Sequence, residues 1–290
     1  MYKITKVVSS KCWGTIDRPI MDNQGRLLTT EAEQEARRAE HFSKVLNTSP
    51  PPLEADMQDP EEDVDLNTTP PEKEEIMAAI RSLKNRKAPG QDTRSAELFK
   101  ADPEFAAQAL QPLFAAIHVL EEKQLPEDWT EGIIMKISRK GALSNCNTWR
   151  GITLLSVPSN ILPRSSSSKF RRSRSATEKR ASRFSKRKRC IDQIFSLRNI
   201  IEQCTERLRQ LYIHFVNFEK AFDSIHRDSL WRILRAYGIP QQIVHVIQSF
   251  YDNFTCRMGN SKSSFEVKTS VRQGCSMSML FFHIVIDWVM

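Results

Sequence analysis

Between Pro163 and Arg189 the chain reads PRSSSSKFRRSRSATEKRASRFSKRKR, with twelve Lys or Arg against the single acid Glu178. A stretch this polar cannot bury enough apolar surface to offset its ordering entropy, so it is predicted to lie outside any core. Whatever folds must be closed by patterned segments from both sides of a 27-residue interruption. The block also decides how the charge is read. It carries +11, and taking this from the whole-chain +8 leaves −3 for the remainder. The basicity therefore belongs to one segment, and it is weak evidence for a basic fold surface.

Six cysteines (Cys12, Cys146, Cys190, Cys204, Cys256, Cys275) show no C-x-x-C spacing, which excludes the common zinc cages and a disulfide framework. A reducing setting, nucleus or cytoplasm, is expected. The longest apolar run, MSMLFFHIVIDWVM, is broken by His283 and Asp287 and falls short of the roughly 20 residues that span a bilayer. No membrane segment, signal peptide or homo-oligomer is expected from the sequence.

Helical spacing is predicted over 29–47, with Thr30 as N-cap and Glu33 three residues later. The acidic, proline-rich stretch after it reads as a linker, with a boundary near residue 70. Further helices are predicted from 72 to about 86 (Ile76, Ile80, Leu83) and over about 103–123 (Leu110, Leu113, Phe114, Ile117, Leu120). Ile133 to Ile137 reads as a short strand. After the basic block, helical spacing resumes at Ile191, Ile194, Leu197, Ile200 and Ile201, and Leu211, Ile213 and Phe215 alternate as a strand. Two helices follow, separated by Gly238 and Pro240, then a β-hairpin around NSKS and a buried helix from 276 to 290. Mixed α+β is the class. The divisions are 1–70 (helix plus linker), 71–162, 163–189 and 190–290.

The strand ending FVNFEKAFDS and the later VRQGCSMS gather unusual residues at the ends of apolar elements. With KAPGQD, NTWRGITLLSVPSNIL and CIDQIFSLRNIIEQ they fall in an order that resembles the reverse transcriptase of LINE-type, non-LTR retrotransposons. The resemblance covers most of 25–290, apart from 163–189. It implies a right-hand polymerase with fingers and palm. It also implies an RNA template, a DNA primer, dNTP substrates, and nucleotidyl transfer with two Mg²⁺ ions held by carboxylates.

Residue by residue, the resemblance puts Asn217 where the family carries its first metal-binding Asp. Asn supplies a carbonyl oxygen but no negative charge. Asp223, six residues on, is a second metal candidate, although capping the turn or helix that follows is the stronger reading. Phe218 and Phe222 match nucleotide-facing positions, Phe222 being where a bulky side chain gates the ribose 2′-hydroxyl. Arg272, Gln273 and Gly274 match the second palm motif, which the resemblance places at the nucleotide, and in which Gly allows close approach to template and nascent base pair. Lys87, Arg150 and Lys220 match positions expected to face nucleic acid.

Three departures from the family pattern accompany Asn217. No F/Y-x-D-D motif occurs in the 290 residues, which reads as an incomplete palm without thumb. The usual upstream endonuclease is also missing. The 163–189 block replaces a fingers helix and strand at preserved spacing, which suggests a pair of compensating frameshifts, with a nuclear-localisation or RNA-binding tract as the alternative. Two functional readings follow. One is an RNA-directed DNA polymerase domain incompletely represented in this chain. The other is a non-catalytic transposon remnant that binds nucleic acid weakly through its basic tract.

Overall fold

The computed structural model describes residues 19–51, 57, 63–119, 125–138, 142–166, 190–218, 220–259, 261 and 263–289. Its first elements are a two-stranded ribbon, β1 (Ile20–Met21) with β2 (Leu27–Leu28), and helix α1 (Glu31–Val45). The helix starts at the sequence-predicted cap. Thr30 Oγ1 accepts from the Glu33 backbone N at 3.3 Å and donates to its carboxylate at 2.7 Å. Thr30→Ala is expected to cost about 1 kcal/mol, read as a lower urea midpoint with an unchanged slope.

Helices α2 (Lys73–Arg81), α3 (Ala96–Ala101), α4 (Pro103–Val119) and the single turn α5 (Glu127–Thr130) follow. Their apolar faces match the predicted spacing: Ile76 and Ile80 of α2 and Phe114 and Ile117 of α4 are buried together. Leu120, predicted on the same face, lies outside the described residues. Strands β3 (Glu131–Ser138) and β4 (Trp149–Leu154) pair antiparallel, with Ile133 opposite Leu154.

Helix α6 spans 157–166, so the first four residues of the basic block continue a helix. Ser165 is buried, and Arg164 donates to the Ser82 carbonyl at 3.2 Å. The expected break at residue 163 therefore falls within a helical turn, because Ile161 and Leu162 anchor that helix in the core. The rest of the block, 167–189, lies outside the described residues.

Helix α7 (Cys190–Glu206) is followed by α8 (Arg227–Ala236), α9 (Gln241–Ser249), the hairpin β5 (Thr255–Met258) and β6 (Ser264–Glu266), and α10 (Ser278–Val289). The sheet order is β4-β3-β5-β6, with β3 and β5 parallel and Glu131 opposite Thr255. One main core draws on both sides of the basic block: Ile76, Phe114, Trp129, Leu162, Leu230, Val244 and Phe281 all contribute. Each such side chain, fully buried, contributes roughly 1.5–3 kcal/mol. A smaller core under the sheet joins Phe42 and Leu46 to Ile134, Phe254 and Met258.

Residue 70 does not mark a break in packing. Val64 N donates to the Gly238 carbonyl at 2.8 Å, and Arg235 pairs with Asp63 at 2.8 Å. Asn47 likewise donates to the Glu266 carbonyl at 2.8 Å, which ties the end of α1 to β6. Two expectations are corrected. Residues 211–218 form no strand and are exposed throughout, because no strand among the described residues is aligned to complete their ladder. Helix α10 is half-buried, with Met279, Trp288 and Val289 exposed.

Candidate functional site

The two motif clusters singled out in the sequence converge. The turn at 220–224 and the loop at 270–275 run side by side, with Ser270 N donating to the Ile225 carbonyl at 2.8 Å and Val271 N to that of Phe222 at 3.2 Å. Across this seam the Gln273 side-chain amide donates to the Asp223 carboxylate. Asp223 is thus engaged with the loop opposite it, a partner that sequence reasoning missed. Gln273 keeps a buried Oε1 without a hydrogen-bond partner. A small cavity of about 30 Å³ lies beneath, lined by Asp223, Gln273, Arg272, Thr153 and Gly151 among others.

Gly274 sits at φ +127°, a conformation that L side chains rarely adopt. A Cβ there would lie 2.2 Å from the Thr153 carbonyl oxygen, and Thr153 N donates to the Gln273 carbonyl at 3.0 Å. The close approach expected of this glycine is therefore made to β4. Gly90, in KAPGQD, does the same just past the same end of that strand, where a Cβ would meet the Leu155 carbonyl carbon at 2.5 Å. Ser156 pins the same loop by donating to Asp92 at 2.9 Å. Gly90 was not among the sequence candidates, although the Pro-Gly pair marked the turn.

Arg272 departs most from expectation. It was placed facing the nucleotide, but it is 4% exposed. Its guanidinium donates to the Phe250 and Trp129 carbonyls, each at 2.9 Å, and stacks 4.2 Å from the Phe254 ring centroid. Burial holds its pKa below the usual arginine value. Arg227 is a second buried guanidinium. It donates to the Tyr251 and Ser270 carbonyls at 2.9 and 3.3 Å, and burial pulls its pKa down to about 10. It had a readable signal: Arg227, Leu230 and Leu234 share one face of α8, so the arginine follows the core stripe. Burial also pushes the Cys256 thiol up to about 12, which makes it a poor nucleophile.

Phe222 packs at a tilt against Phe282 of α10 with ring centroids 4.8 Å apart, and Phe218 meets the same ring edge-on at 6.4 Å. Phe222 is thus half-buried core packing at this position. Asn217 is exposed on the irregular 211–218 segment. Lys87, Arg150 and Lys220 are all exposed, Lys220 at φ +49°. Lys220 lies near enough to His41 of α1 to add to the burial that lowers the imidazole pKa. Among the described residues no three His, Cys, Asp or Glu come together as metal ligands. The described residues of the site therefore do not fit the expected pair of divalent ions: Asn217 brings no charge, and Asp223 is engaged by Gln273. No helix among the described residues is long and apolar enough to cross a membrane.

Comparison with known proteins adds an independent line. The family model described as reverse transcriptase (RNA-dependent DNA polymerase) matches residues 137–290. The chain is 24% identical over 225 residues to the transposon TX1 uncharacterized 149 kDa protein of Xenopus laevis, which covers 76% of this chain and 17% of that protein. It is 30% identical over 101 residues to the retrovirus-related Pol polyprotein of the type-2 retrotransposable element R2DM of Drosophila melanogaster, covering 34% and 10%. With the probable RNA-directed DNA polymerase of Drosophila transposon BS it shares 25% over 254 residues, covering 84% and 26%. The matched regions span from a tenth to about a quarter of these relatives.

Proposed function

Because the chain belongs to the reverse transcriptase (RNA-dependent DNA polymerase) family, as found in non-LTR retrotransposons, we propose that it is a fingers and palm portion of such an enzyme that does not itself polymerise. Enzymes of the family use divalent metals, Mg²⁺ in this reading, to activate the primer hydroxyl and steady the leaving pyrophosphate. The single observation that carries the proposal is Asn217. It stands at the first palm carboxylate position, exposed on a segment outside the sheet, and no carboxylate cluster forms around it among the described residues. Losing one metal carboxylate removes electrostatic stabilisation worth several kcal/mol in a preorganised site.

The 290-residue chain, incubated with an RNA template, annealed DNA primer, dNTPs and Mg²⁺ or Mn²⁺, is expected to give no template-dependent extension product. A product above a no-template control sinks the reading. The two palm motifs themselves keep their family placement in the proposal, with Asp223 and Gln273 meeting across one seam.

Residual nucleic-acid binding is assigned to 163–189, whose +11 charge exceeds that of any other stretch. Binding to single-stranded RNA, followed by fluorescence anisotropy, should weaken steeply from 50 to 200 mM salt, as expected when several phosphates are neutralised. Deleting 167–189 should abolish it, and binding that survives the deletion would assign it to the folded part. Action in the nucleus or cytoplasm completes the proposal and suits the free thiols at Cys146, Cys204, Cys256 and Cys275.

A further inference from the structure

Residues 81–100 carry six Lys or Arg against Asp92 and Glu97, a net +4, so the chain outside this stretch and the basic block is −3 − 4 = −7. The stretch is held against α6, the helix that leads into the block. At the C-terminal end of α6, Arg164 donates to the Ser82 carbonyl and to Ser82 Oγ, each at 3.2 Å. Just before its N-terminal end, Ser156 donates to Asp92 at 2.9 Å and Gly90 closes on the Leu155 carbonyl. The loop 82–94 therefore runs the length of α6. Lys100 fixes its start by donating to the Leu83 carbonyl at 3.1 Å and to Asn85 at 2.6 Å. Both acids of the stretch are engaged, Asp92 by Ser156 and Glu97 by the Arg86 backbone N. Arg81, Lys84, Arg86, Lys87 and Arg94 are all exposed, and of these only Lys87 was matched to nucleic acid by its motif.

We propose that this face carries the RNA contact of the basic block onto the fold, with the sugar-phosphate backbone of single-stranded RNA lying along Lys84, Arg86, Lys87 and Arg94. The ten residues of α6 give the face a length of about 15 Å, room for roughly four phosphates at about 3.4 Å each. A charge of +4 is too small to hold RNA without the block, so the face extends a contact that the block begins. The inference rests on the assignment of RNA binding to that block.

The test is the salt dependence of single-stranded RNA binding to the full chain. Lys84→Gln, Arg86→Gln and Arg94→Gln together, with Lys87 kept, should lower the slope of log affinity against log salt by about 2, at roughly 0.7 for each phosphate released. Binding at 100 mM salt should weaken by roughly tenfold or more. Arg26→Gln, Lys44→Gln and Lys268→Gln remove the same charge from exposed positions elsewhere and should leave the slope unchanged. Far-UV circular dichroism checks that both triple variants stay folded. If the unaltered chain binds no RNA, the assignment to the block falls and this inference falls with it. If the chain binds RNA and the first triple leaves the slope unchanged, or the second lowers it equally, this inference alone is overturned. Binding of poly-glutamate that the first triple weakens, with RNA indifferent to it, would give the face to an acidic protein partner and overturn it too.

Discussion

Arg272→Leu should lower the free energy of unfolding by about 3 kcal/mol, because it strands two buried carbonyls at once. The Phe250 carbonyl ends α9 and the Trp129 carbonyl lies in the turn leading into β3, so one guanidinium joins the two halves of the main core. Removing a buried, desolvated charge gives some free energy back, and this keeps the expected loss from being larger. Arg272→Lys should rescue little, since an ammonium cannot fork to two carbonyls as a planar guanidinium does. Urea unfolding followed by far-UV circular dichroism reads the effect directly. Equal midpoints for wild type and Arg272→Leu would mean that the clamp contributes nothing.

Gly274→Ala is expected to cost as much or more, and to act locally. Its φ of +127° is strained for alanine, and the new Cβ would sit 2.2 Å from the Thr153 oxygen. The loop must then lift from β4, which breaks the bond from Thr153 N to the Gln273 carbonyl and unseats Gln273 from Asp223. Hydrogen exchange should show Thr153 losing protection more than Ile134. Gly25→Ala is the control: its φ is also positive, at +83°, but nothing lies within 4 Å of the added Cβ. It should cost about 1 kcal/mol at most. If the two alanine variants unfold together, close approach at Gly274 is not what selects glycine there.

Local periodicity carried much of the fold. Ile76 and Ile80, Phe114 and Ile117, and the pair α8 and α9 flanking Gly238 all fall where their spacing put them. The hairpin of β5 and β6 was also legible, because its strands adjoin one turn. The parallel pairing of β3 with β5 was not, since nothing in either segment names a partner more than a hundred residues away. Residues 211–218 show the opposite failure. Alternating Leu211, Ile213 and Phe215 describe a strand's side chains but say nothing about whether a ladder partner exists.

The site was legible in outline and not in detail. The sequence singled out the stretches around 222–223 and 272–274 but did not say that they meet, and the surroundings of individual residues depended on burial. Nothing in the letter Arg272 announces its two carbonyl partners, and nothing in Phe222 announces the ring of Phe282 against it. Charge and size can be read from one letter, but the direction a side chain takes depends on the neighbours that surround it.

The parallel pairing of Glu131 with Thr255 encloses the whole basic block in a single closed loop of the chain. Closure entropy rises only with the logarithm of loop length, so the 23 residues between 166 and 190, within a loop of roughly 120, cost about 0.2 kcal/mol. The same fold could accept almost any insert of that length, whatever its composition, provided the ends at 166 and 190 stay within reach. The order of synthesis is constrained more severely. The central strand pair cannot form until β5 has left the ribosome, and until then β3 waits with one edge open, a long-range closure that slows folding.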